Sequence, residues 1–425
     1  MITKLTEVID NGLCCNCGTC EGVCPTNAIK LQIDRQKKEY IPVIDKSKCN
    51  NCNLCFNVCP GHNVNYKELN EFFFNKEPED LLIGNYLNCY LGYANDKDIR
   101  FNSSSGGLVT SILIYALDKG IIDGALVTRM SKENPLEPEP FIARTRDEII
   151  SAAKSKYCPV PVNKLLREVL TSDDEKIAVV GLPCHIHGIR NIEVKNNFLK
   201  NKIVMHLGIL CSHNDTFWQT DSLLNKWNIK KEEVREINYR GDGWPGNMII
   251  KLKNGEIKRI PFSEALSQHT LWINTIFRCL FCPDLTAELS DMSFGDPWIP
   301  EIVETENKGQ SIVIARNKNV NLLLSKALNE KQIHLTSLSS ELVKKSGFMM
   351  ESKKRDICAR ISIRKLFGKP VPIYHTSFQK PALKNYLRAI FVYLHAVLSS
   401  KSILKCLMTK FASIEIKLFR ISGDN

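Results

Sequence analysis

Two cysteine-rich runs near the N-terminus constrain this 425-residue chain more than any other feature. Residues 14–25 read CCNCGTCEGVCP and residues 49–60 read CNNCNLCFNVCP, so each run has the spacing C-x2-C-x2-C-x3-C followed by proline. Three cysteines spaced in this way can wrap a loop around one face of a cubane, and the fourth then leaves on a short helix toward a neighbouring cubane. The repeated spacing therefore predicts two metal–thiolate clusters.

Bacterial-type ferredoxins use this spacing to hold two [4Fe–4S] clusters, and the fourth cysteine of each run binds the other cluster. Cys15 fits neither register. A pair of zinc sites is the alternative, which the pattern disfavours because zinc usually takes its ligands from two separated pairs. The expected ligands are Cys14, Cys17, Cys20 and Cys59 for one cluster, and Cys49, Cys52, Cys55 and Cys24 for the other.

The segment around these runs, residues 1–68, is predicted to form a small ferredoxin domain. Within it, Ile29–Asp34 and Tyr40–Ile44 predict a short hairpin around a charged turn. Residues 69–85, which include three consecutive phenylalanines, are interpreted as a linker that docks on an apolar surface.

Composition indicates a soluble globular protein of a reducing compartment. Hydrophobic residues make up 44% and charged residues 24% of the chain, and its N-terminus lacks the apolar core of a secretory signal. Because the 17 cysteines are clustered in a chain without such a signal, they indicate metal thiolates in the cytoplasm and not disulfides. We also expect no membrane span, since no apolar stretch is long enough.

A second unit, residues 86–170, begins with a glycine-containing loop that precedes a helix. The sequence NSSSGG at residues 102–107 leads into LVTSILIYALDKG, an apolar helical pattern that Gly120 ends. Such a loop presents backbone N–H groups and the positive end of a helix dipole, which suits a phosphate. A plain capped helix is the alternative that this motif alone leaves open.

Residues 175–345 alternate between strand and helix patterns, which predicts an α/β (α+β) fold. The apolar runs KIAVVG and KIVMHLGILC are typical of buried parallel strands. The first run leads into Cys184, and the second ends in Cys211. Functional groups gather at the carboxyl ends of such strands. Together with the pair Cys279 and Cys282, these cysteines suggest a third metal site, for which buried structural thiols or zinc remain alternatives.

Four motifs, in order behind the ferredoxin-type runs, resemble the family of coenzyme F420 hydrogenase/dehydrogenase beta subunits. They are SSSGGLVT, SKYCPVP, GLPCHIHGIRN and RCLFCPDLTAELSDMSFGDPW, and the resemblance covers roughly residues 1–345. It implies an FAD in residues 86–345 with a [4Fe–4S] cluster close to it. The implied architecture is a small bacterial-type ferredoxin domain, an α/β flavin-binding unit and a basic helical C-terminal tail.

The resemblance also implies roles for individual residues. Lys156 and Tyr157 would lie along the flavin, and Pro183 would border it. The loop departs from the family pattern, because Ser104 stands where a basic residue is common and Arg100 lies further upstream. The remaining implied ligands are Ser104, Ser105, Gly106, Gly107 and Thr110 for FAD, and Cys184, Cys211, Cys279 and Cys282 for a third cluster.

The tail, residues 346–425, holds 15 Lys and Arg against 4 Asp and Glu, and so carries the whole net charge of +11. Apolar residues recur in it at helical spacing, first over Leu387–Leu398 and then over Leu404–Phe411. Basic amphipathic helices suit packing on the protein body, contact with a partner subunit, or an anionic membrane surface, and the sequence leaves all three open. No nucleic-acid recognition motif accompanies the charge, so a nucleic-acid partner is not expected.

The implied function is that of an FAD- and iron–sulfur-dependent oxidoreductase. It would exchange electrons between a reduced deazaflavin (coenzyme F420), or a similar hydride carrier, and ferredoxin or a partner's redox centre. One alternative is a ferredoxin-driven reductase of an organic substrate at FAD, and another is a non-catalytic electron-transfer subunit of a larger complex. The expected location is the cytoplasm, with the tail allowing contact with the inner face of the membrane.

Overall fold

A computed structural model describes residues 2–172, 175–265, 274–347, 350–376 and 378–399. Residues 400–425, which carry the second half of the predicted tail pattern, lie outside the described residues. The N-terminal region contains the predicted hairpin, and its two strands pair antiparallel from Ile29↔Ile44 to Asp34↔Glu39. Its elements are α1 (Leu5–Asp10), α2 (Thr19–Gly22), β1 (Ile29–Asp34), β2 (Glu39–Ile44), α3 (Leu54–Asn57) and α4 (Tyr66–Phe74).

Helix α4 occupies part of the segment that the sequence predicted to be a linker. Asn65 accepts a hydrogen bond from the backbone N–H of Glu68 and so caps the helix, and Asn75 ends it in the left-handed conformation. Phe73 and Phe74 pack at the edge of an apolar cluster that includes Leu69. The expected docking on an apolar surface is therefore present, but it is made by a helix.

The body is built on a large mixed sheet with the predicted α/β pattern. In the described part of the chain its strands follow the order β13-β3-β12-β11-β7-β6-β4-β5. Strands β11, β7, β6 and β4 are mutually parallel, and the antiparallel pairs on both sides of β12 bring β3 into the same direction. The strands are β3 (Asn88–Ala94), β4 (Gly124–Met130), β5 (Pro138–Ala143), β6 (Ile177–Gly181), β7 (Ile203–Ile209), β11 (Met292–Gly295), β12 (Ser311–Ala315) and β13 (Ile333–Ser337).

A small antiparallel sheet, ordered β10-β9-β8, is inserted between β7 and β11. Two of its strands form a hairpin around Asn254-Gly255, a pair typical of type I′ turns, but the turn is of another type. Only Gly255 of the two has a positive φ, and its N–H bonds to the carbonyl of Leu252, so a three-residue connection joins the strands. The strands are β8 (Val234–Asn238), β9 (Asn247–Leu252) and β10 (Ile257–Pro261).

Helices cover both faces of the large sheet, because strands such as β4 and β6 are apolar on both sides. Ala125 and Ala178 face a core that includes residues of α6 and α14. Leu126 and Val179 face the core beneath α8 and α9. The helices of the body are α5 (Lys97–Phe101), α6 (Leu108–Asp118), α7 (Arg146–Ser151), α8 (Leu166–Thr171), α9 (Pro183–Glu193), α10 (Asn197–Lys202), α11 (Phe217–Lys226), α12 (Phe262–Ala265), α13 (Pro300–Val303), α14 (Lys318–Asn329) and α15 (Ser340–Ser346); 3-10 turns span Val162–Leu165, Lys231–Glu233 and Phe277–Phe281.

The described tail consists of two helices, α16 (Met350–Leu366) and α17 (Leu383–Ser399), that pack on the body. Ala359 of α16 and Tyr393 of α17 join an apolar cluster with Val8 of α1 and Phe281. The segment between the helices pairs with the end of the N-terminal region, where Val64 N–H donates to the carbonyl of Ile373 at 2.9 Å. No helix among the described residues has the length and apolar character needed to cross a membrane.

Candidate functional site

The eight cysteines of the two runs fall into the two predicted groups. The Cys20 thiol interacts electrostatically with the thiols of Cys14, Cys17 and Cys59. The Cys55 thiol interacts in the same way with those of Cys24, Cys49 and Cys52. The fourth cysteine of each run therefore lies with the first three of the other run, as expected for a two-cluster ferredoxin.

The two runs fold alike because they place left-handed residues at matching positions. Asn16 and Asn51, at the residue before the second cysteine of each run, have φ of 59° and 56°. Gly18 and Asn53, at the residue after it, have φ of 87° and 56°. Glycine and asparagine adopt this conformation more readily than other residues, so the loop can turn its cysteines toward one point.

The thiols lie in surroundings that suit bound metal clusters. Burial raises the pKa of Cys59 to about 12 and that of Cys55 to about 11, so the bare thiolates would be costly there. Backbone N–H groups donate to the sulfurs of Cys24, at 3.2 Å from Ala28 N, and of Cys14, at 3.4 Å from Asn16 N. Iron would compensate the thiolate charge, and these hydrogen bonds would stabilise it further.

The third predicted group also comes together, at the carboxyl edge of the large sheet. The Cys184 thiol interacts electrostatically with those of Cys211, Cys279 and Cys282, and also with that of Cys17 in the N-terminal region. Cys184 lies in the first turn of α9, after β6, and Cys211 follows β7 by two residues. Placement after parallel strands follows the sequence prediction for this edge.

His185 and His187, which follow Cys184 in α9, are buried core residues. His185 Nε2 lies 2.8 Å from the carbonyl of Val160, and its Nδ1 accepts from Leu182 N–H at 3.0 Å. Burial lowers the pKa of His185 to about 4, so the ring is neutral at the start of α9. His187 Nε2 lies 2.9 Å from Asp284 and is buried with it.

Arg278, which the sequence analysis quoted without a role, connects two of the thiol groups. Its guanidinium donates to the carbonyls of Gly61, at 2.7 Å, and Pro60, at 3.0 Å, directly after the second cysteine run. It lies in the same 3-10 turn as Cys279 and interacts electrostatically with Cys59. Burial alone would lower its pKa, but Tyr374 and Cys15 raise it above the usual value.

Among the described residues, no three His, Cys, Asp or Glu side chains converge as the ligands of one metal ion do. A cubane separates its four ligand sulfurs more widely, because each sulfur bonds a different iron. The three groups of four cysteines therefore fit [4Fe–4S] clusters in residue type and grouping.

The predicted flavin loop is held against the sheet and against a second predicted segment. Gly106 N–H donates to Ser311 Oγ at 2.8 Å, and a Cβ at Gly106 would lie 2.5 Å from the carbonyl oxygen of Gly92. Ser105 Oγ lies 2.7 Å from Ser311 Oγ. Ser104 Oγ accepts from Ser155 N–H at 2.7 Å, which joins the loop to the segment that contains Lys156 and Tyr157.

Helix α6 begins directly after this loop. Its N-cap, Gly107, has φ of 75° and offers no side-chain hydrogen bond to the first turn, where Thr110 is buried. The first-turn N–H groups of α6 are thus uncapped by a side chain and suit an anionic group. Arg100 is not directed at such an anionic group, because its side chain donates to the carbonyl oxygen of Gly309 at 2.8 Å and pairs with Glu306.

Lys156 and Tyr157 point to different neighbours. The Lys156 ammonium donates to the carbonyls of Ala152, Ala153 and Lys154 at 2.6–2.9 Å, and burial lowers its pKa to about 7. Tyr157 packs edge-on against Tyr239, with ring centroids 5.9 Å apart. Pro183 is the first residue of α9 and precedes Cys184, so it lies on the side of the third thiol group.

Arg240 is a candidate flavin contact that the sequence analysis missed. Its side chain is fully buried, pairs with Asp296 at 2.8 Å and lies 3.3 Å from the hydroxyl of Tyr157. Within the described part of the chain, one of its terminal nitrogens, Nη2, has no hydrogen-bond partner. A buried guanidinium group with an unsatisfied donor fits an anionic or carbonyl-bearing ligand such as a flavin.

The sequence around Arg240, RGDGWPG, carried a signal for this region. Its three glycines lie within six residues, and Gly241, Asp242, Gly243 and Gly246 all have positive φ. A Cβ at Gly241 would lie 3.5 Å from Lys154 Nζ, so this loop lies against the segment before Tyr157. Glycine-rich irregular loops beside aromatic residues are common at binding sites.

Comparison with protein families identifies the class to which this fold and these sites belong. Residues 89–167 match the N-terminal and residues 174–341 the C-terminal region of the coenzyme F420 hydrogenase/dehydrogenase beta subunit, and residues 13–63 match a 4Fe–4S dicluster domain. The chain therefore belongs to the family of coenzyme F420 hydrogenase/dehydrogenase beta subunits, which confirms the resemblance. Helices α16 and α17 follow the matched residues.

Individual relatives agree with this assignment. The beta subunit of coenzyme F420 hydrogenase from Methanothermobacter thermautotrophicus is 29% identical over 69% of this chain and all of its own length. A subunit of the F420H2 dehydrogenase of Methanosarcina mazei is 29% identical over 72% of this chain and 83% of its own. The coenzyme F420-dependent sulfite reductase of Methanocaldococcus jannaschii is 28% identical over 80% of this chain, which spans about half, 52%, of that relative.

A solved structure supports the fold. A chain of the F420-reducing [NiFe] hydrogenase complex of Methanosarcina barkeri matches with a TM-score of 0.55 and 24% identity. The match covers 70% of this chain and 98% of that chain. The predicted architecture, a ferredoxin-type region followed by an α/β body, is thereby confirmed.

Proposed function

We propose that this chain is an iron–sulfur flavoprotein oxidoreductase. It exchanges electrons between reduced coenzyme F420, or a similar hydride carrier, and ferredoxin or a partner's redox centre. Bound FAD would convert between the electron pair of a hydride and the single electrons that [4Fe–4S] clusters carry. The names of the relatives support the F420-related part of this proposal.

The electrostatic interaction between the Cys184 and Cys17 thiols is the observation that carries the proposal. It links the third thiol group of the body to the first group of the N-terminal region. The second group adjoins the first, because Cys20 also interacts with Cys55. Three groups of cysteines that interact in series, if each binds a cluster, are suited to moving electrons along the chain.

The residues proposed to hold FAD surround Tyr157 and the start of α6. Arg240 would donate a hydrogen bond from its free Nη2 to the bound group, and the N–H groups in the first turn of α6 would bind an anionic part of that group. Tyr157 and its aromatic neighbours would exclude water from the ring. The full set is Ser104, Ser105, Gly106, Gly107, Thr110, Lys156, Tyr157, Pro183 and Arg240.

We propose a cytoplasmic protein that contacts a partner redox subunit through its tail. Supporting this, α17 exposes an apolar face while its opposite face packs on the body. Flotation with anionic vesicles in the absence of a partner would favour the membrane surface as the contact instead. The exposed apolar residues of α17 are Leu383, Leu387, Ile390, Phe391 and Leu394.

The first test is the cofactor content of the chain purified without oxygen. We expect about twelve iron atoms per chain, from three [4Fe–4S] clusters, together with one FAD. Reduced coenzyme F420 should then bleach the flavin absorbance, whereas NADH serves as a control for carrier specificity. About eight iron atoms would remove Cys184, Cys211, Cys279 and Cys282 as cluster ligands.

The bleaching experiment separates the proposal from its alternatives. A chain with full cofactor that reduced F420 does not bleach is not an F420-linked enzyme. Bleaching only by reduced ferredoxin, with turnover of a small organic molecule, would establish the reductase alternative. Full cofactor content without turnover until a partner subunit is added would establish the electron-transfer subunit.

A further inference from the structure

Helix α16 lies beyond the residues that match the family, yet it places a lysine at the third thiol group. Lys353, near the start of α16, is only 2% exposed. Its ammonium donates to the carbonyl oxygens of Cys211, at 2.7 Å, and Asp284, at 2.6 Å. Both acceptors are neutral groups, so these hydrogen bonds do not neutralise the charge.

The groups around the Lys353 ammonium are mostly cysteines of the third group. It interacts electrostatically with the thiols of Cys282, Cys211 and Cys279, and more weakly with the carboxylate of Asp284. That carboxylate is already engaged by His187 at 2.9 Å. Burying an ammonium group without a dedicated counterion is unfavourable, so an anionic group at these thiols would satisfy it.

A second cation of α16 points to the same group. Arg360 is buried, and it interacts electrostatically with the Cys282 thiol as well as with Asp356. Lys353 and Arg360 are seven residues apart, which is about two turns, so they lie on one face of the helix. That face of α16 lies against the third thiol group.

We propose that Lys353 is the countercharge of the third [4Fe–4S] cluster and raises its reduction potential. A cluster held by four thiolates is anionic and becomes more negative on reduction, so a fixed positive charge beside its ligands stabilises the reduced form most. Helix α16 thus sets the reduction potential of the third cluster, which lies between the body and the clusters of the N-terminal region. This inference rests on the third cluster of the proposed function.

The test is an EPR-monitored redox titration of the holoprotein purified without oxygen. In Lys353→Gln and Lys353→Met, the midpoint potential of the third cluster should shift to lower values, while those of the other two clusters stay unchanged. Lys353→Arg, which keeps the charge, should stay close to the wild-type potential. Lys365→Met is the matched control, because it removes an exposed lysine from the same helix about 18 Å away.

Iron content distinguishes the possible results. Selective loss of the third cluster in the Gln and Met variants, with retention in the Arg variant, would also support the countercharge role. Wild-type potentials in Lys353→Gln would overturn it, and so would loss of the cluster in all three variants, which would make Lys353 a purely structural residue. A wild-type chain with about eight iron atoms would contradict the third cluster of the proposed function, and this inference with it.

Discussion

At the scale of single residues, Arg240 offers the most direct test of the proposed flavin site. Its free nitrogen is buried beside Tyr157, so replacing it with leucine should remove a charge-assisted hydrogen bond to the bound group. Such bonds contribute about 1.5–3 kcal/mol, which corresponds to roughly ten- to hundredfold in affinity. We therefore expect Arg240→Leu to bind FAD more weakly by this factor, measured by fluorescence titration of the flavin-free chain.

Two further variants make the result interpretable. Arg240→Lys keeps a cation near Asp296 and should retain part of the affinity while preserving the fold. Arg259→Leu removes an exposed arginine, paired with Asp242, from the neighbouring strand β10 and should leave FAD affinity unchanged. Equal FAD affinity in Arg240→Leu and wild type, with normal iron content, would exclude Arg240 from the site.

His185 predicts a pH dependence of stability. Its pKa is lowered from about 6.5 to about 4 in the folded chain, so the unfolded chain takes up a proton first as the pH falls. The stabilisation is complete above about pH 6.5 and is lost between there and about pH 4. At about pH 5 the loss should reach roughly 2 kcal/mol.

His185→Gln should remove this part of the pH dependence. Glutamine can still donate to the carbonyl of Val160 and takes up no proton in this range. The gap between the melting temperatures at about pH 7.5 and pH 5 should therefore be narrower in His185→Gln than in the wild type. His334→Gln, at an exposed histidine of β13, is the control and should keep the wild-type gap; an unchanged gap in His185→Gln would refute the assignment.

Local spacing explains why the cysteines could be predicted and Arg240 could not. Each ferredoxin-type run encodes its own loop, so eight thiols and their exchange between runs follow from a short stretch of sequence. Arg240 and Lys353 act through neighbours that are distant in the chain, Tyr157 and Cys211. Such pairings depend on how the sheet edge and the tail meet, which no short stretch of sequence specifies.

At the scale of elements, close packing of glycines joins the N-terminal region to the body. Gly188 of α9 lies against Thr19 of α2, and a Cβ there would clash with the Thr19 hydroxyl. Asn163 Nδ2 donates to the same hydroxyl at 2.9 Å, and Asn163 N–H donates to the carbonyl of Cys17 at 2.9 Å. This contact fixes the distance between the first and third thiol groups.

Gly188→Ala should therefore weaken the packing of α9 against α2 and destabilise the fold. Overpacking at such a contact typically costs about 1–3 kcal/mol, and we expect a lower melting temperature with all cofactors retained. Adding Thr19→Ala removes the clashing hydroxyl and should restore part of the stability of Gly188→Ala. Additive effects of the two substitutions would show that the residues do not meet as the structure has them.

Element types were more predictable than their docking. Strands β4, β6 and β7 and helix α6 follow from apolar runs and caps that the sequence shows directly. Helix α4 is not evident from the sequence, because its aromatic residues and the charged residues after it are typical of a connector, and only Asn65 marks its start. The sequence does not predict α16, and for the helix at α17 it leaves packing on the body as one of three possibilities, because an amphipathic pattern does not specify what it covers.

At the scale of the whole molecule, the three thiol groups form a series that crosses from the body to the N-terminal region. The third group is the only one of the three that is built from body residues. Within this group, Cys184 interacts with Cys17. Arg278, in the same turn as Cys279, donates to the carbonyl of Gly61, two residues after Cys59. Charge, packing and metal-binding residues thus coincide at this contact between the body and the N-terminal region.

This connection predicts that loss of the third group separates two reactions that occur together in the wild type. In Cys184→Ala, reduced coenzyme F420 should still bleach the flavin, and about eight iron atoms per chain should remain. The EPR signals of the two N-terminal clusters should then develop far more slowly than in the wild type, because the group between them and the flavin site is gone. Cys358→Ala, which removes a half-buried thiol of α16 outside the three groups, should react like the wild type. Equally fast signals in Cys184→Ala would mean that electrons reach the N-terminal region by another route, and the series inferred from the Cys184–Cys17 interaction would be wrong.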